Sequence, residues 1–306
     1  MTTLVFGHKS PDTDSTGSPI IWAWYLNEIK GVAAAPALLG EPNTEAAFML
    51  KRWNLDKPEI VSTVADGTPV VIVDTNNPAE LPDNINNCDI KAIIDHHKLV
   101  GGLETAGPIH IVMEPLACTA TIMFKSIGKH MAQMPDDIKG AMLSCILSDT
   151  LEFRSPTTTQ EDKAIAYDLA EQLGIDIPSY ASEMFEAKSD VSSFSDAELL
   201  RMDSKEYTVD GKDFRVSVLE TTAPKIVLDR KDSLMASMTD VAAEDGADQV
   251  LLFVVDILNE EATLLVPNDL VKTVAEKSFG VTVTGDTVVL PGVMSRKKQI
   301  IPNLKV

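Results

Sequence analysis

Three short apolar runs each stop at a carboxylate or an imidazole. Leu4-Val5-Phe6 leads into Gly7-His8 and then Pro11-Asp12-Thr13-Asp14; Val70-Val71-Ile72-Val73 closes on Asp74; Ile90-Lys91-Ala92-Ile93-Ile94 closes on Asp95-His96-His97. Apolar residues at successive positions suit strands buried on both faces of a parallel sheet. In an open α/β sheet the carboxyl ends of the strands share one edge, and ligands bind there. Histidines and aspartates converging on that edge read as a metal site.

The chain between these runs supports an alternation of strand and helix. Helices are expected from about Ser18-Pro19 to Lys30 and over Thr44 to Trp53, with a short strand at Ala37 to Leu39. His110 to Met113 reads as a further strand. Mainly helical patterns follow over Cys118 to Met131, Asp136 to Ser148, Thr159 to Leu173 and Ser179 to Ser189. Residues 190 to 196, Asp-Val-Ser-Ser-Phe-Ser-Asp, are small and polar and read as a linker. Beyond them come a hairpin about Asp210-Gly211, a helix at Ser233 to Glu244, strands at Gln249 to Asp256 and Ala262 to Val266, and a helix at Leu270 to Phe279. The expectation is two α/β domains. Residues 1–189 form a mostly parallel sheet flanked by helices and bear the metal ligands. Residues 197–306 form a smaller mixed domain, with the active site in a cleft between the two.

The 306 residues suffice for two such domains, and 44% of them are apolar. A net charge of −20 argues against DNA or RNA as a partner, since phosphate backbones are bound by Lys and Arg. It does not exclude a small anion in a metal-loaded pocket. Cys88, Cys118 and Cys145 make no paired motif and suit reduced thiols in the cytoplasm. The N-terminus lacks a signal-peptide layout, and no apolar stretch approaches the ~18 residues of a membrane span.

The candidate ligands are His8, Asp12, Asp14, Asp74, Asp95, His96, His97 and Asp149, the last in Ile146-Leu147-Ser148-Asp149-Thr150. So many carboxylates in one pocket repel unless cations separate them. A pair of divalent ions sharing one Asp resolves the repulsion and yields a bridging hydroxide as nucleophile. Mixed imidazole and carboxylate donors favour Mn²⁺ or Co²⁺ over Mg²⁺. Near the C-terminus, Ser295-Arg296-Lys297-Lys298 supplies three successive cations suited to a compact polyanion.

Together these motifs resemble the family II, manganese-dependent inorganic pyrophosphatases of the DHH phosphoesterase superfamily, over nearly the whole chain. The matching segments are Gly7-His8 with Pro11-Asp12-Thr13-Asp14-Ser15, Val73-Asp74-Thr75-Asn76, Asp95-His96-His97-Lys98, Leu147-Ser148-Asp149-Thr150 and Ser295-Arg296-Lys297-Lys298-Gln299. The resemblance implies that His8, Asp12 and Asp74 bind one metal. Asp14, Asp74, His96 and Asp149 would bind the other, with Asp74 between them. It places His97 toward phosphate, and Lys205, Arg296 and Lys297 on the two phosphoryl groups. It further implies two Mn²⁺ per subunit, replaceable by Co²⁺, Mg²⁺ carried in with pyrophosphate, and a homodimer formed through the larger domain.

Other readings stay open at this level. The nearest are an exopolyphosphatase or a small-nucleotide phosphodiesterase of the same superfamily; further off is an inactive module that binds metal or anions. Asp95 is expected to orient His96 or His97 rather than to ligate. Asn76 and Asn77 either orient a ligand or make a turn.

Overall fold

The computed structural model describes all 306 residues, which divide into two compact units, Met1–Lys188 and Ser189–Val306. In the first, β1 (Thr3–Phe6) is followed by α1 (Thr13–Trp24), β2 (Ala34–Leu38), α2 (Thr44–Arg52), β3 (Glu59–Ile60), β4 (Pro69–Val73), β5 (Asp89–Asp95) and β6 (His110–Met113). Four helices complete it: α3 (Thr119–Ile127), α4 (Asp136–Asp149), α5 (Gln160–Leu173) and α6 (Ile177–Lys188). The six strands are all parallel, in the order β3-β2-β1-β4-β5-β6. The chain steps outward from β1 through β2 and β3, then returns to the other side of β1 at β4. The sheet therefore reverses its winding between β1 and β4, which is where open α/β sheets bind ligands. Leu4 pairs with Val70 and Phe6 with Ile72, so His8 and Asp74 leave the sheet side by side.

Val5, Phe6, Val70 to Val73, Ile93 and Ile94 are buried, as consecutive apolar residues predict for strands covered on both faces. One face packs on a core that includes Ile21, Trp22, Met142 and Ile146; the other packs on Leu81, Ile85 and Cys88. Gly7 admits no larger residue, because an added Cβ would lie 2.0 Å from Ser15 Oγ. That oxygen accepts the His8 N–H at 2.8 Å and ties the end of β1 to the first turn of α1.

Helix α1 begins earlier than the opening expected near Ser18-Pro19. Asp12 caps it by accepting the Ser15 N–H at 3.0 Å, and this cap overrides the proline as a start signal. Pro19 lies inside the helix and removes one internal hydrogen bond. The helix expected over Cys118 to Met131 is also shorter in its α form. It ends at Ile127 and continues as a 3₁₀ turn from Gly128, whose φ is 56°.

The second unit holds α7 (Asp196–Met202), β7 (Ser204–Val209), β8 (Lys212–Thr221), α8 (Pro224–Leu228), α9 (Lys231–Glu244), β9 (Gln249–Asp256), β10 (Glu261–Leu265), α10 (Asp269–Phe279) and β11 (Thr287–Pro291). Its sheet runs β11-β10-β9-β8-β7 and is antiparallel except for the β8–β9 pair. Asp210 and Gly211 both take positive φ, 50° and 79°, as a tight hairpin turn requires. Residues 190–195 pack on this unit: Val191 is in its core, and Arg230 donates to the Val191 and Phe194 carbonyls at 2.9 Å. β3, β11, α7 and α8 had no counterpart in the sequence reading. β3 is two residues long, and α8 a single short helical segment, too brief to show a period.

Candidate metal centre and cationic pocket

Three clusters of potential ligands gather at the carboxyl edge of the first sheet. They are His8, Asp12 and Asp74; Asp14, His96 and Asp149; and Asp74, His96 and His97, with donor atoms in each cluster within 4.8 Å of one another. Asp74 faces two ways. Its Oδ2 lies 3.5 Å from His8 Nε2, and its Oδ1 lies 3.4 Å from His96 Nε2. Asp12 Oδ2 is 3.7 Å from His8 Nε2. All six residues expected as ligands are thus brought together.

The histidines are set up as donors. His8 Nδ1–H donates to the Lys9 carbonyl at 2.8 Å and His96 Nδ1–H to the Leu116 carbonyl at 3.1 Å, which leaves each Nε2 facing the carboxylates, protonated without metal and able to give up that proton to ligate one. His97 differs. Its Nδ1 and its backbone N–H both donate to Asp95 Oδ1, at 2.9 and 3.0 Å, while its ring is half exposed. Asp95 is wholly buried, and its other oxygen accepts from Asn76 Nδ2 at 2.5 Å. Asn76 Oδ1 accepts the Val100 N–H at 2.7 Å. The pair Asp95 and Asn76 therefore fixes the His97 ring and the loop after it.

Asp74 occupies the left-handed region at φ 58°. A short polar side chain tolerates this better than a branched or bulky one, and the turn aims the carboxylate back across the strand ends. Thr119, the first residue of α3, was not singled out from the sequence. Its N–H donates to Asp14 Oδ2 at 2.7 Å and its hydroxyl to Asp74 Oδ1 at 3.0 Å. A helix amino terminus is a natural seat for negative charge, and the onset of a helical pattern at Cys118-Thr119 was the available signal. Ser18 Oγ donates to Asp14 Oδ1 at 2.7 Å. Buried Cys145 lies against the same segment, its Sγ donating to the Thr13 carbonyl at 3.4 Å.

Charge crowding is strong here. Burial, and then Asp74, push the Asp14 carboxyl up to about 7. Burial with Asp14 and Asp74 raises Asp149 well above the usual carboxylate range. Burial opposes charge on His8, but Asp12 and Asp74 outweigh it and push the imidazole up to about 11. His96, also opposed by burial, is pushed up to about 9 by Asp74 and Asp14. Protons thus offset the repulsion among the carboxylates in the metal-free protein. The donor set of three imidazoles and four carboxylates fits divalent cations that would displace those protons.

This sets a pH dependence. Asp14 folds with a pKa above its ordinary 3.8, so the folded chain keeps a proton that the unfolded chain loses between about pH 4 and 7. His8 and His96 fold with pKa values above their ordinary 6.5, so their contribution is complete below that pH and lost as pH rises toward 9 and 11. All three lower stability as pH rises. The Tm of chelator-treated protein is expected to fall from pH 5 to 9, and the Tm increase on adding Mn²⁺ is expected to grow over the same range. A Mn²⁺ increment that shrinks with pH in differential scanning fluorimetry would contradict this.

In the second unit, Lys205, Arg296 and Lys297 line one pocket of about 560 Å³ together with Asp203, Tyr207, Glu220 and Ser295. Arg296 is gripped by Asp203, donating to its carbonyl and to its Oδ1, both at 2.7 Å. The turn that carries Arg296 and Lys297 is shaped by Gln299, whose Oε1 accepts the Met294 and Ser295 N–H groups at 2.9 Å. Asp203 was passed over in the sequence because an exposed aspartate before a strand carries no pattern.

Fold and site together define a DHH protein with a DHHA2 domain. Residues 2–148 match the DHH family, N-terminal domain, and residues 182–306 match the DHHA2 domain. A "Probable manganese-dependent inorganic pyrophosphatase" of Deinococcus radiodurans is 40% identical over 98% of this chain and 97% of its own length. One of the same description from Bacillus licheniformis is 38% identical over 98% and 97%. The crystal structure of a Methanococcus jannaschii "putative family II inorganic pyrophosphatase" superposes with a TM-score of 0.62 at 34% identity, covering 99% of this chain and 98% of that one. The chain belongs to the family of manganese-dependent, family II inorganic pyrophosphatases. An exopolyphosphatase-related protein from Bacteroides fragilis, 13% identical with a TM-score of 0.52 over 98% of this chain and 89% of that one, shares the fold.

Proposed function

We propose that this protein hydrolyses inorganic pyrophosphate to two phosphates with Mn²⁺ as its metal. The observation that carries the reading is the two-way aim of Asp74, one oxygen toward His8 and Asp12 and the other toward His96. In this reading His8, Asp12 and Asp74 hold one ion and Asp14, Asp74, His96 and Asp149 the second. Two divalent ions in such a donor set supply acidified water and neutralise phosphoryl charge. Asp74 holds the spacing of the two half-sites. His97, its Nδ1 committed to Asp95, presents Nε2 toward substrate and contributes a hydrogen bond there. Lys205 and Lys297 supply point charges, and the Arg296 guanidinium grips phosphoryl oxygens in a plane fixed by Asp203.

The expected division assigns metal binding to residues 1–189, a linker to 190–196 and substrate binding to 197–306; residues 190–195 pack on the second unit, so in this reading they travel with the substrate-binding part. Co²⁺ replaces Mn²⁺, and Mg²⁺ arrives with the substrate. The family resemblance supports a homodimer. No helix is long and apolar enough to cross a membrane, and three free cysteines fit a reducing cytoplasm.

The test is phosphate release from pyrophosphate, tripolyphosphate and a dinucleotide with Mn²⁺ or Mg²⁺ added to metal-free protein. Pyrophosphate is expected to be cleaved fastest, and Mn²⁺ to restore more activity than Mg²⁺ alone. Preference for the longer chain or the dinucleotide would move the protein to another branch of the superfamily.

A further inference from the structure

The geometry points to Glu45 as a positioning residue that sets the spacing between the Asp12–Asp14 segment and Asp149. The inference rests on the metal-dependent reading above and extends it. Glu45 stands in the first turn of α2 and is wholly buried. A single oxygen, Oε2, accepts three hydrogen bonds: from Thr13 Oγ1 at 2.9 Å, Ser148 Oγ at 2.6 Å and Lys188 Nζ at 3.2 Å. Its other oxygen is buried without a partner. Thr13 lies between Asp12 and Asp14, and Ser148 immediately precedes Asp149.

A fully buried carboxylate with one partly exposed lysine as counter-charge is costly, and an apolar residue would pin three helices at less expense. What an apolar residue lacks is a common acceptor for both ligand-bearing segments. Asp14 and Asp149 share one ligand cluster and repel each other whenever both are ionised, as ligation requires. Glu45 holds their backbones together through neighbours on either side. The two half-sites depend on this tie unequally. The cluster of His8, Asp12 and Asp74 draws nothing from α4, whereas the cluster of Asp14, His96 and Asp149 spans α1 and α4. Loosening Glu45 therefore weakens one metal position and spares the other.

Metal-free Glu45→Gln and Ser148→Ala proteins, each titrated with Mn²⁺ by electron paramagnetic resonance and checked for folding by thermal denaturation, test this. One Mn²⁺ equivalent is expected to weaken about 10- to 100-fold and the other to stay within about twofold, with KM for pyrophosphate unchanged at saturating Mn²⁺. Two equivalents weakened alike, or neither, in a folded variant would overturn the role. If Glu45→Gln does not fold, Ser148→Ala decides by the same criterion, since it leaves Glu45 bonded to Thr13 and Lys188. Native protein that fails to bind two Mn²⁺ overturns the metal-dependent reading itself, a result seen before any variant is compared.

Discussion

Asparagine in place of Asp74 is expected to reduce pyrophosphate hydrolysis roughly a thousandfold or more and to leave fewer than two tightly bound Mn²⁺ per chain. Asparagine is the informative choice because it tolerates the left-handed backbone at φ 58°, where alanine would add strain unrelated to chemistry. It also keeps one oxygen that can accept the Thr119 hydroxyl. What it loses is the second anionic oxygen, so only one of the directions toward His8 and His96 keeps a carbonyl donor. Turnover and Mn²⁺ stoichiometry by equilibrium dialysis check this together. Near-native turnover with two bound ions would remove Asp74 from the bridging role.

Arg296→Ala is expected to lower kcat/KM for pyrophosphate by about a hundredfold to a thousandfold while Mn²⁺ affinity stays close to native. The loss has two sources. A bidentate cation disappears, and the Asp203 carboxylate it had held is left unpaired beside Lys205 and Lys297 in a pocket meant for anions. Arg296→Lys is expected to recover little, because a lysine cannot span the Asp203 carbonyl and carboxylate with a planar fork while also facing substrate. Steady-state kinetics with pyrophosphate, paired with Mn²⁺ titration, separates the outcomes. Equal loss of metal affinity would assign Arg296 to the metal centre instead.

Much of this was legible in the chain itself, and the reasons differ by element. β1, β4 and β5 announced themselves as unbroken apolar runs, and their terminal residues could be placed because parallel strands end at one edge. Asp74 was visible for that reason although nothing local distinguishes it. The true start of α1 was hidden because two cap signals compete within one turn, Asp12 and Ser18-Pro19, and hydrogen bonding to Ser15 decides between them. Glu45 and Asp203 were not legible, and Thr119 only as the onset of a helical pattern. Each acts on a residue distant in sequence, Thr119 on Asp14 and Asp74, Glu45 on Ser148, and Asp203 on Arg296, and only folding reveals the partner. Asp95 was the intermediate case: its place beside two histidines suggested an orienting role, and the bonds to His97 and Asn76 specify which ring it orients.

The buried thiols have a consequence for how this region withstands oxidation. Cys118 stands at the position just before the helix that begins with Thr119, and the Cys145 thiol donates to the Thr13 carbonyl. Burial, and then the negative field of Asp14 and Asp149, hold both sulfurs protonated far above the ordinary thiol range. A protonated sulfur is a poor ligand and a poor nucleophile. Oxidants, which act on accessible thiolate, thus meet two enclosed and protonated sulfurs. The acidity that would repel itself without cations also keeps the neighbouring sulfur inert.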